Sequence, residues 1–261
     1  MTDEPMILTE RRGNVLVMSL NRPERLNAAP PAMFDRLREV LADLDGARAV
    51  LIRGEGKGFC SGADIGAGAL DAEDPGAATH AALTEHYHPT LQAIADLNVP
   101  VVSAVRGPAA GIGCSLALSA DLCIACDSAY FLQAFVNVGL IPDGGATWML
   151  PRLIGRARAL EMMLLGERVP AERAVEWGMV HRVVADSALD DEALALAQRL
   201  ASGPTVALGL LRRAVAYSLD HDYSGAMANE AECQRSARGT ADSAEGGRAF
   251  LEKRSPEFRG E

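Results

Sequence analysis

The sequence feature that most constrains the fold is the segment 99–121, VPVVSAVRGPAAGIGCSLALSAD. Its first seven residues form an apolar, largely β-branched run that is typical of a buried strand. Glycines and a proline then interrupt the run, and an alanine-rich apolar segment follows that is typical of a helix. The segment therefore predicts a strand, a glycine-rich turn and a helix.

The turn of this segment is a candidate binding site for a negatively charged group. The first N–H groups of a helix lack partners within the helix and carry partial positive charge. The glycine spacing G-x-x-x-G-x-G nevertheless matches neither a phosphate-binding loop nor a dinucleotide-binding fingerprint. Close packing of the helix on the strand, with nothing bound, explains the glycines of this one turn equally well.

A second glycine-rich turn favours a binding site over close packing alone. Residues 49–53 predict a short strand, and GEGKGFCSGADI at residues 54–65 follows it. Two such turns, at residues 59–64 and 107–115, can each aim one unpaired backbone N–H at the same point. Two N–H groups that converge on a carbonyl oxygen form an oxyanion hole, which stabilises an enolate or a tetrahedral oxyanion.

The apolar pattern of the whole chain predicts an α/β fold. A hairpin at residues 6–20 opens the chain, and strands then alternate with helices across the first half, as in βαβ units around a mostly parallel sheet. From residue 147 onward the pattern is helical almost throughout, with one short strand at residues 179–184. We therefore expect a core over residues 1–195 and a helical region over residues 196–261.

The composition excludes several classes of partner. The chain has 261 residues, 49% of them hydrophobic, and its 25 basic and 35 acidic residues give a net charge of −10. This charge argues against nucleic acids and anionic membranes as partners, although it leaves room for a local phosphate pocket. Residues 1–10 lack the apolar run of a secretory signal, and uncharged stretches such as residues 107–120 are too short to span a bilayer. We expect a cytoplasmic protein.

The cysteines predict neither disulfides nor a metal site. Their odd number, five, fits free thiols in a reducing compartment better than a disulfide framework. Cys123 and Cys126 form a C-x-x-C, but they lie in a predicted strand, and no second Cys or His pair stands at ligand spacing. Two buried thiols are the favoured interpretation.

Six segments, taken together and in this order, resemble the crotonase family, also called the enoyl-CoA hydratase/isomerase superfamily. They extend over nearly the whole chain, and as a set they are highly specific. The segments are NRPERLNA at residues 21–28, GFCSGADI at 58–65, AVRGPAAGIGCSLALSADL at 104–122, VGLIPDGGATWMLPRLIG at 138–155, LLGERVPAERAVEWGMVHRVV at 164–184 and FLEKRSPEF at 250–258.

This resemblance implies a spiral of ββα units with a helical C-terminal region. It also implies acyl-CoA thioesters as substrates, so that coenzyme A belongs to the substrate and neither a separate cofactor nor a metal is expected. The implied assembly is a homotrimer or a dimer of trimers.

Carried over position by position, the resemblance assigns the two oxyanion-hole amides to Ala63 and Ile112. Hydratases of the family usually have glycine at the second position, so the isoleucine side chain is expected to narrow the acyl pocket. Lys253 lies in the C-terminal segment that often reaches the nucleotide in this family. The residues that match positions beside coenzyme A are Arg25, Asn27, Ala28, Ser61, Ala63, Asp64, Ile65, Gly111 and Lys253.

The chain departs from the hydratases of the family at two positions. Hydratases have two glutamates there that position and activate water, whereas this chain has Ser115 and Phe135. Neither side chain can act as a general base at neutral pH in the way that a carboxylate does. Simple hydration of a 2-enoyl-CoA is therefore disfavoured.

Asp143, in the segment GLIPDGGAT, has two interpretations. An aspartate before Gly-Gly-Ala-Thr and an apolar run is a good N-cap for the helix that follows. Some isomerases and dehalogenases of the family, however, use an aspartate at this position, where hydratases commonly have glycine. The resemblance therefore favours Asp143 as a catalytic acid/base, whereas Asp64 is expected to have a structural role in its turn.

The resulting prediction is an acyl-CoA isomerase. One carboxylate that takes a proton from one carbon and returns it to another is sufficient, with the enolate held by Ala63 and Ile112. The segments GLIPD, GRARA and EWGM and the tail at 250–258 resemble the branch that isomerises ring-1,2-epoxyphenylacetyl-CoA in phenylacetate degradation. The alternatives are an enoyl-CoA hydratase in which Asp143 alone recruits water, and a CoA-binding homologue without catalysis.

Two histidines are further candidates. Residues 66–76 predict a mobile loop, and residues 81–98 predict a helix that carries His86 and His88. In the family, residues of this region line the acyl pocket. An aspartate at position 143 together with a histidine resembles the dehalogenase branch. A solvated histidine is the favoured interpretation for both, because nothing in the sequence fixes either ring.

Overall fold

The larger sheet of the protein contains most of its buried strands. The computed structural model describes residues 4–64 and 73–261. In spatial order, the strands of this sheet are β1 (Ile7–Arg12), β2 (Val15–Leu20), β3 (Ala49–Gly54), β4 (Val101–Val105), β6 (Leu122–Cys126) and β9 (Arg182–Val184). β1 and β2 form the predicted antiparallel hairpin, and every other neighbouring pair in this sheet is parallel.

A smaller sheet begins directly after β4 in the chain. It consists of β5 (Pro108–Ala110), β7 (Tyr130–Leu132) and β8 (Val169–Pro170), with β5 parallel and β8 antiparallel to β7. The sequence predicts only a turn where β5 lies. The chain bends into β5 at Gly107, whose φ of +55° favours glycine and whose added Cβ would lie 2.2 Å from Lys57 O.

Helices cover most of the second half of the chain, as the sequence predicts. Their bounds are α1 (Pro31–Leu41), α2 (Pro75–Ala82), α3 (His88–Ala95), α4 (Ile112–Leu118), α5 (Ala146–Leu165), α6 (Ala171–Glu176), α7 (Leu189–Ala201), α8 (Thr205–Ser218), α9 (Tyr223–Arg238) and α10 (Ala241–Glu252). α5 is interrupted at Gly155, where the backbone is not helical. Residue 195, the expected limit of the core, lies inside α7, which packs against β2, β3, β4 and β6.

The helix predicted at residues 81–98 begins earlier than expected. α2 starts at Pro75, and the Asp74 side chain caps it by accepting from the Ala77 N–H at 2.9 Å. A π-helical turn, Leu83–Tyr87, joins α2 to α3. Residues 75 and 76 of the expected mobile loop therefore belong to a helix, and its residues 66–72 lie outside the described part of the chain.

The centre of the larger sheet is apolar and buried. Every residue of β2 and β4 is buried, as expected for strands covered on both faces. α4 packs against β4, β5 and β6, so its first turn lies where the two sheets meet. Within residues 4–64 and 73–261, no single helix is long and apolar enough to cross a membrane; only the bent pair Asp186–Ala201 and Thr205–Ser218 has the required length and composition together.

The last residues of the chain are connected to the start of β3 by Arg48. Its guanidinium donates to Gly203 O at 2.6 Å and to Phe258 O at 3.1 Å. The buried carboxylate of Asp242, in the first turn of α10, accepts from the backbone N–H groups of residues 259 and 260 at 2.6 and 2.8 Å. These contacts fold the tail back against α10 and attach it to the core.

Candidate active site

The two glycine-rich turns lie side by side. The Cys60 N–H donates to Pro108 O at 2.9 Å, and Cys60 O accepts from the Ala110 N–H at 2.9 Å. A Cβ added to Gly111 would lie 3.9 Å from Gly62 Cα. The residues that follow these two glycines carry the expected oxyanion-hole amides, and they are therefore neighbours.

The amides of Ala63 and Ile112 have no hydrogen-bond acceptor among the residues that the structure describes. Ala29 bonds to the first turn on either side of Ala63: its N–H donates to Gly62 O at 2.8 Å, and its carbonyl accepts from the Asp64 N–H at 3.1 Å. The Ala63 N–H therefore points away from Ala29. Ile112 is the first residue of α4, where an N–H has no partner in the helix. Two amides at adjacent turns without an acceptor in the described part of the chain are the kind of donors that an oxyanion hole uses.

Gly111 shapes the second turn. Its φ of +53° and ψ of −126° lie where residues with a side chain are rarely found, and its N–H donates to Leu132 O at 2.8 Å. An added Cβ would lie 3.4 Å from Cζ of Phe135. The aromatic ring of Phe135, at the position expected to hold a glutamate in hydratases, thus lies against the second turn and makes its surroundings apolar.

Asp143 lies beside the same turn. The hydroxyl of Ser115 donates to the backbone carbonyl of Asp143 at 3.1 Å, and a Cβ added to Gly144 would lie 2.5 Å from Ile112 Cδ1. Ser115 stands where hydratases have their other glutamate, and here its buried hydroxyl holds the Asp143 backbone. The Asp143 carboxyl is therefore carried by backbone in direct contact with α4.

The environment of the Asp143 carboxyl suits proton transfer. Its Oδ1 is buried and has no hydrogen-bond partner within the described residues. Burial disfavours the charged form and raises the pKa of Asp143 to about 6. A general acid/base is most efficient when its pKa lies near the working pH, so Asp143 can both accept and return a proton.

Asp143 does not cap the helix that follows it. The N-cap of α5 is Gly145, and no side chain caps this helix. Asp143 contributes its backbone carbonyl, which accepts from the Ala146 N–H at 3.1 Å. The capping interpretation is therefore wrong, because two glycines separate the carboxyl from the first helical residue and the carboxyl makes no bond to the helix end.

Asn27, expected beside coenzyme A, anchors its own loop. The side chain is fully buried, with Oδ1 accepting from the Arg22 N–H at 2.7 Å. Its Nδ2 donates to Glu55 O at 3.0 Å and to Gly58 O at 2.7 Å. The amide of Asn27 thus connects the loop at residues 22–28 to the first glycine-rich turn.

We expect Asn27→Ala to lower the free energy of unfolding by about 2–4 kcal/mol, because it removes one buried hydrogen bond, to Gly58 O, and two partly buried ones, from the Arg22 N–H and to Glu55 O. Asp45→Ala is the matched control: Asp45 also has a positive φ, +47°, but it is exposed. The control therefore measures the conformational cost alone. Urea unfolding followed by circular dichroism measures both variants, and equal losses would contradict the anchoring role.

The other residues expected beside coenzyme A lie in different places. Arg25 is exposed, and its carbonyl accepts from the Ala28 N–H at 3.0 Å and from Ser61 Oγ at 3.3 Å. These three residues therefore form one surface next to the first turn. Lys253 ends α10 with a φ of +54° and is exposed, and Ile65 lies outside the described residues.

Asp64 and the two candidate histidines are held by partners or face solvent. Asp64 Oδ2 lies 2.8 Å from Nη1 of Arg22, and this largely buried ion pair links the loop at residues 22–28 to the first turn. His86 is not simply solvated as expected, because its Nδ1 lies 2.7 Å from Oδ2 of Asp35 on the neighbouring helix α1. His88 is exposed at the start of α3.

Tyr87 is a residue of this region that the sequence does not single out. Its ring is buried and its O–H donates to Ala29 O at 2.8 Å. Burial raises its pKa well above the usual range, and the negative charges of Asp143 and Asp64 act in the same direction. A tyrosine on a helix is commonly a core residue, so only its contacts show that it belongs here.

Comparison with known proteins gives a consistent result over nearly the whole chain. The family model described as "Enoyl-CoA hydratase/isomerase" matches residues 10–261. The 1,2-epoxyphenylacetyl-CoA isomerase of Escherichia coli K12 is 43% identical over 257 residues, covering 97% of this chain and 98% of that protein. A probable enoyl-CoA hydratase of Rhodobacter capsulatus is 43% identical over 245 residues, 94% of each protein.

Solved structures agree with the family match. The crystal structure of an enoyl-CoA hydratase from Bacillus anthracis superposes with a TM-score of 0.93 at 31% identity, covering 98% of this chain and 100% of that chain. The spiral fold with its helical C-terminal region is thus shared. The chain therefore belongs to the crotonase family of enoyl-CoA hydratases and isomerases.

Proposed function

We propose that this protein is an acyl-CoA isomerase that works through a thioester enolate. The observation that carries the proposal is the Asp143 carboxyl, with its raised pKa and buried Oδ1, near the amides of Ala63 and Ile112; neither Oδ1 nor these amides have a hydrogen-bond partner within residues 4–64 and 73–261. The carboxyl supplies the proton carrier, and the amides supply the oxyanion hole. Members of the family act on acyl-CoA thioesters, which provide the carbonyl that such a site requires.

In the proposed reaction, the carbonyl oxygen of a 3-enoyl-CoA accepts hydrogen bonds from both amides. Ionised Asp143 removes a proton from C2, and the electron pair moves toward the thioester oxygen to form an enolate. The enolate then collapses while the double bond moves from C3–C4 to C2–C3. Asp143 returns the proton to C4, so the product is the conjugated 2-enoyl isomer and contains no added water.

A hydratase is the second candidate. The names of the relatives from Rhodobacter capsulatus and Bacillus anthracis favour it. The residues at the two glutamate positions of hydratases argue against hydration. The hydroxyl of Ser115 is bonded to the Asp143 backbone, and Phe135 presents an apolar ring. Asp143 would then have to activate water alone.

The finer proposal for the substrate is a ring epoxide of phenylacetyl-CoA. The name of the relative from Escherichia coli, at 43% identity, supports it. The aromatic ring of Phe135 beside the Gly111 turn also supports it, because the flat, largely apolar ring of such an epoxide can pack against an aromatic face. The same proton carrier and the same amides serve this substrate.

Mass spectrometry of a 3-enoyl-CoA incubated with the enzyme in D₂O tests the proposal. We expect a conjugated product that contains no added water and carries deuterium, because the proton on Asp143 exchanges with D₂O before the carboxyl delivers it to C4. Addition of water would favour the hydratase. A substrate that is neither converted nor deuterated, with 1,2-epoxyphenylacetyl-CoA also unchanged in a parallel sample, would contradict the enolate mechanism.

The rate is expected to depend on pH through Asp143. Since the carboxyl must be ionised to accept the C2 proton, kcat/KM is expected to rise about tenfold per pH unit below pH 6 and to level off above it. Initial rates with 3-enoyl-CoA over roughly pH 4.5 to 8 locate the inflection of the profile to within about one pH unit. Circular dichroism at each pH verifies that the protein stays folded. A profile that stays flat across pH 6 would contradict the assignment of Asp143.

A further inference from the structure

We propose that Tyr87 is a positioning residue for the oxyanion hole, whose hydroxyl fixes the direction of the Ala63 amide through the Ala29 carbonyl. The inference rests on the proposed function, because it assigns Tyr87 a part in holding the enolate oxygen. Tyr87 acts through two other residues and makes no contact with the reacting atoms in this role.

The connection passes through one backbone carbonyl. Ala29 O accepts from the Tyr87 O–H at 2.8 Å and from the Asp64 N–H at 3.1 Å, so both of its lone pairs are used. The Ala29 N–H donates to Gly62 O at 2.8 Å. Tyr87 therefore stabilises the isolated β-bridge between Ala29 and Ala63, which holds the first turn in place.

These bonds determine where the Ala63 N–H points. Gly62 C=O and Ala63 N–H belong to the same planar peptide group, in which they point in opposite directions. The bond from Ala29 to Gly62 O consequently directs the Ala63 N–H away from Ala29. The bond from Asp64 to Ala29 O fixes the next peptide group, so the amide is held on both sides.

The hydroxyl of Tyr87 is itself held rigidly. Tyr87 is the last residue of the π-helical turn Leu83–Tyr87, and such turns redirect a side chain relative to a regular helix. Its ring packs edge-on against Phe34, with 4.8 Å between centroids and an interplanar angle of 73°. The side chain is 5% exposed, so water does not compete for the bond to Ala29. The phenol stays protonated, and hence a donor, because burial and nearby Asp143 disfavour its anion.

Positioning matters here because an oxyanion hole works only if its donors are oriented before the reaction. Complete loss of one donor typically costs 10²- to 10³-fold in kcat. Tyr87→Phe keeps the ring and leaves Ala29 O bonded to Asp64, so the amide is retained but less constrained. We expect kcat to fall by about 5- to 20-fold, with KM changed less than twofold.

Thr90→Val is the matched control for this variant. Thr90 Oγ is buried and bonds to Phe34 O and His86 O, both at 2.9 Å. The control therefore removes a buried hydroxyl three residues after Tyr87, in α3, and leaves the bonds of Ala29 unchanged. We expect both variants to lose a similar, small amount of thermal stability, and only Tyr87→Phe to lose kcat.

Infrared spectroscopy of bound butyryl-CoA with a ¹³C-labelled carbonyl supplies a direct readout, since hydrogen bonds to a carbonyl lower its stretching frequency. We expect a lowered frequency in the wild type and Thr90→Val, and a smaller shift in Tyr87→Phe. Equal shifts in all three proteins, or an equal loss of kcat in both variants, would overturn the role of Tyr87 and leave the proposed function intact. Absence of the shift in the wild type would instead contradict the oxyanion hole, and the proposed function with it.

Discussion

Asp143→Asn is expected to lower kcat for isomerisation by about 10²- to 10⁴-fold, the usual contribution of a positioned acid/base group. Asparagine keeps the shape of the side chain, but it cannot accept the C2 proton. Binding of acyl-CoA is expected to persist, because the substitution leaves the amides of Ala63 and Ile112 in place. Steady-state kinetics with 3-enoyl-CoA measures the first effect, and calorimetric titration with butyryl-CoA measures the second.

Asp127→Asn is a suitable control for this experiment, because Asp127 is an exposed aspartate whose backbone N–H bonds to Val184 O. Its kinetics are expected to match the wild type. Full activity of Asp143→Asn would exclude Asp143 as the proton carrier. Joint loss of binding and activity would show that Asp143 supports the turn.

The same substitution is expected to make the folded protein more stable at pH 8. In the folded protein the pKa of Asp143 is raised from 3.8 to about 6, so the unfolded chain releases this proton at lower pH. The folded state therefore binds more protons between these values, and the wild type loses stability as the pH rises through them. The thermal midpoint of Asp143→Asn should exceed that of the wild type at pH 8, and the gap should narrow toward pH 4. A gap that widens on acidification would contradict the raised pKa.

Gly113→Ala is expected to lower the free energy of unfolding by about 2–4 kcal/mol and to abolish most of the activity. A Cβ at this position would lie 2.4 Å from Cys60 O and 2.7 Å from Cys60 Sγ. Either α4 or the first turn must therefore move. Each carries one of the two amides proposed for the oxyanion hole, and a displacement of about 1 Å costs on the order of 100-fold in rate.

Gly247→Ala is the matched control, since Gly247 also lies within a helix but an added Cβ there meets nothing within 4 Å. Alanine is the better helix former, so the control is expected to gain about 0.5–1 kcal/mol and to keep its kinetics. Urea unfolding and initial rates of both variants separate close packing from helix propensity. Wild-type stability of Gly113→Ala would contradict the tight contact between the two turns.

The buried strands could be predicted from the sequence because their burial is complete. β2, β3 and β4 are covered on both faces, so nearly every residue in them is apolar and the runs stand out. The glycine-rich turns were predictable for a similar reason, since a positive φ such as that of Gly111 is rarely adopted by other residues.

Elements that depend on neighbours distant in sequence were not predictable in the same way. β5 has three residues and includes a proline, and it is recognisable as a strand only through its pairing with β7. The start of α2 carried a usable signal, because Asp74 before Pro75 is a typical N-cap followed by a helix-starting proline. The glycines around it indicated a loop instead, so this start of the helix was not predicted.

In the candidate site, too, local motifs were predictable and contacts between distant residues were not. The resemblance to the family assigns Ala63, Ile112 and Asp143 through matching sequence motifs, but it does not give the partners of polar side chains. Asn27 and His86 are bonded to residues 28 or more positions away, Gly58 and Asp35 among them, and no spacing rule connects them. Such pairs become apparent only once the helices and turns are packed.

The attachment of the tail to Arg48 has a consequence for the order in which the chain can assemble during its synthesis. Phe258, one of the partners of Arg48, is made 210 residues later. At about 5–20 residues per second, roughly 10–40 s pass between the synthesis of Arg48 and that of Phe258. During this interval the strands around β3 can pair, but the surface that receives the tail stays open. The contacts to the tail therefore form after the strands around β3 can pair, and slower translation should lengthen the interval before they form.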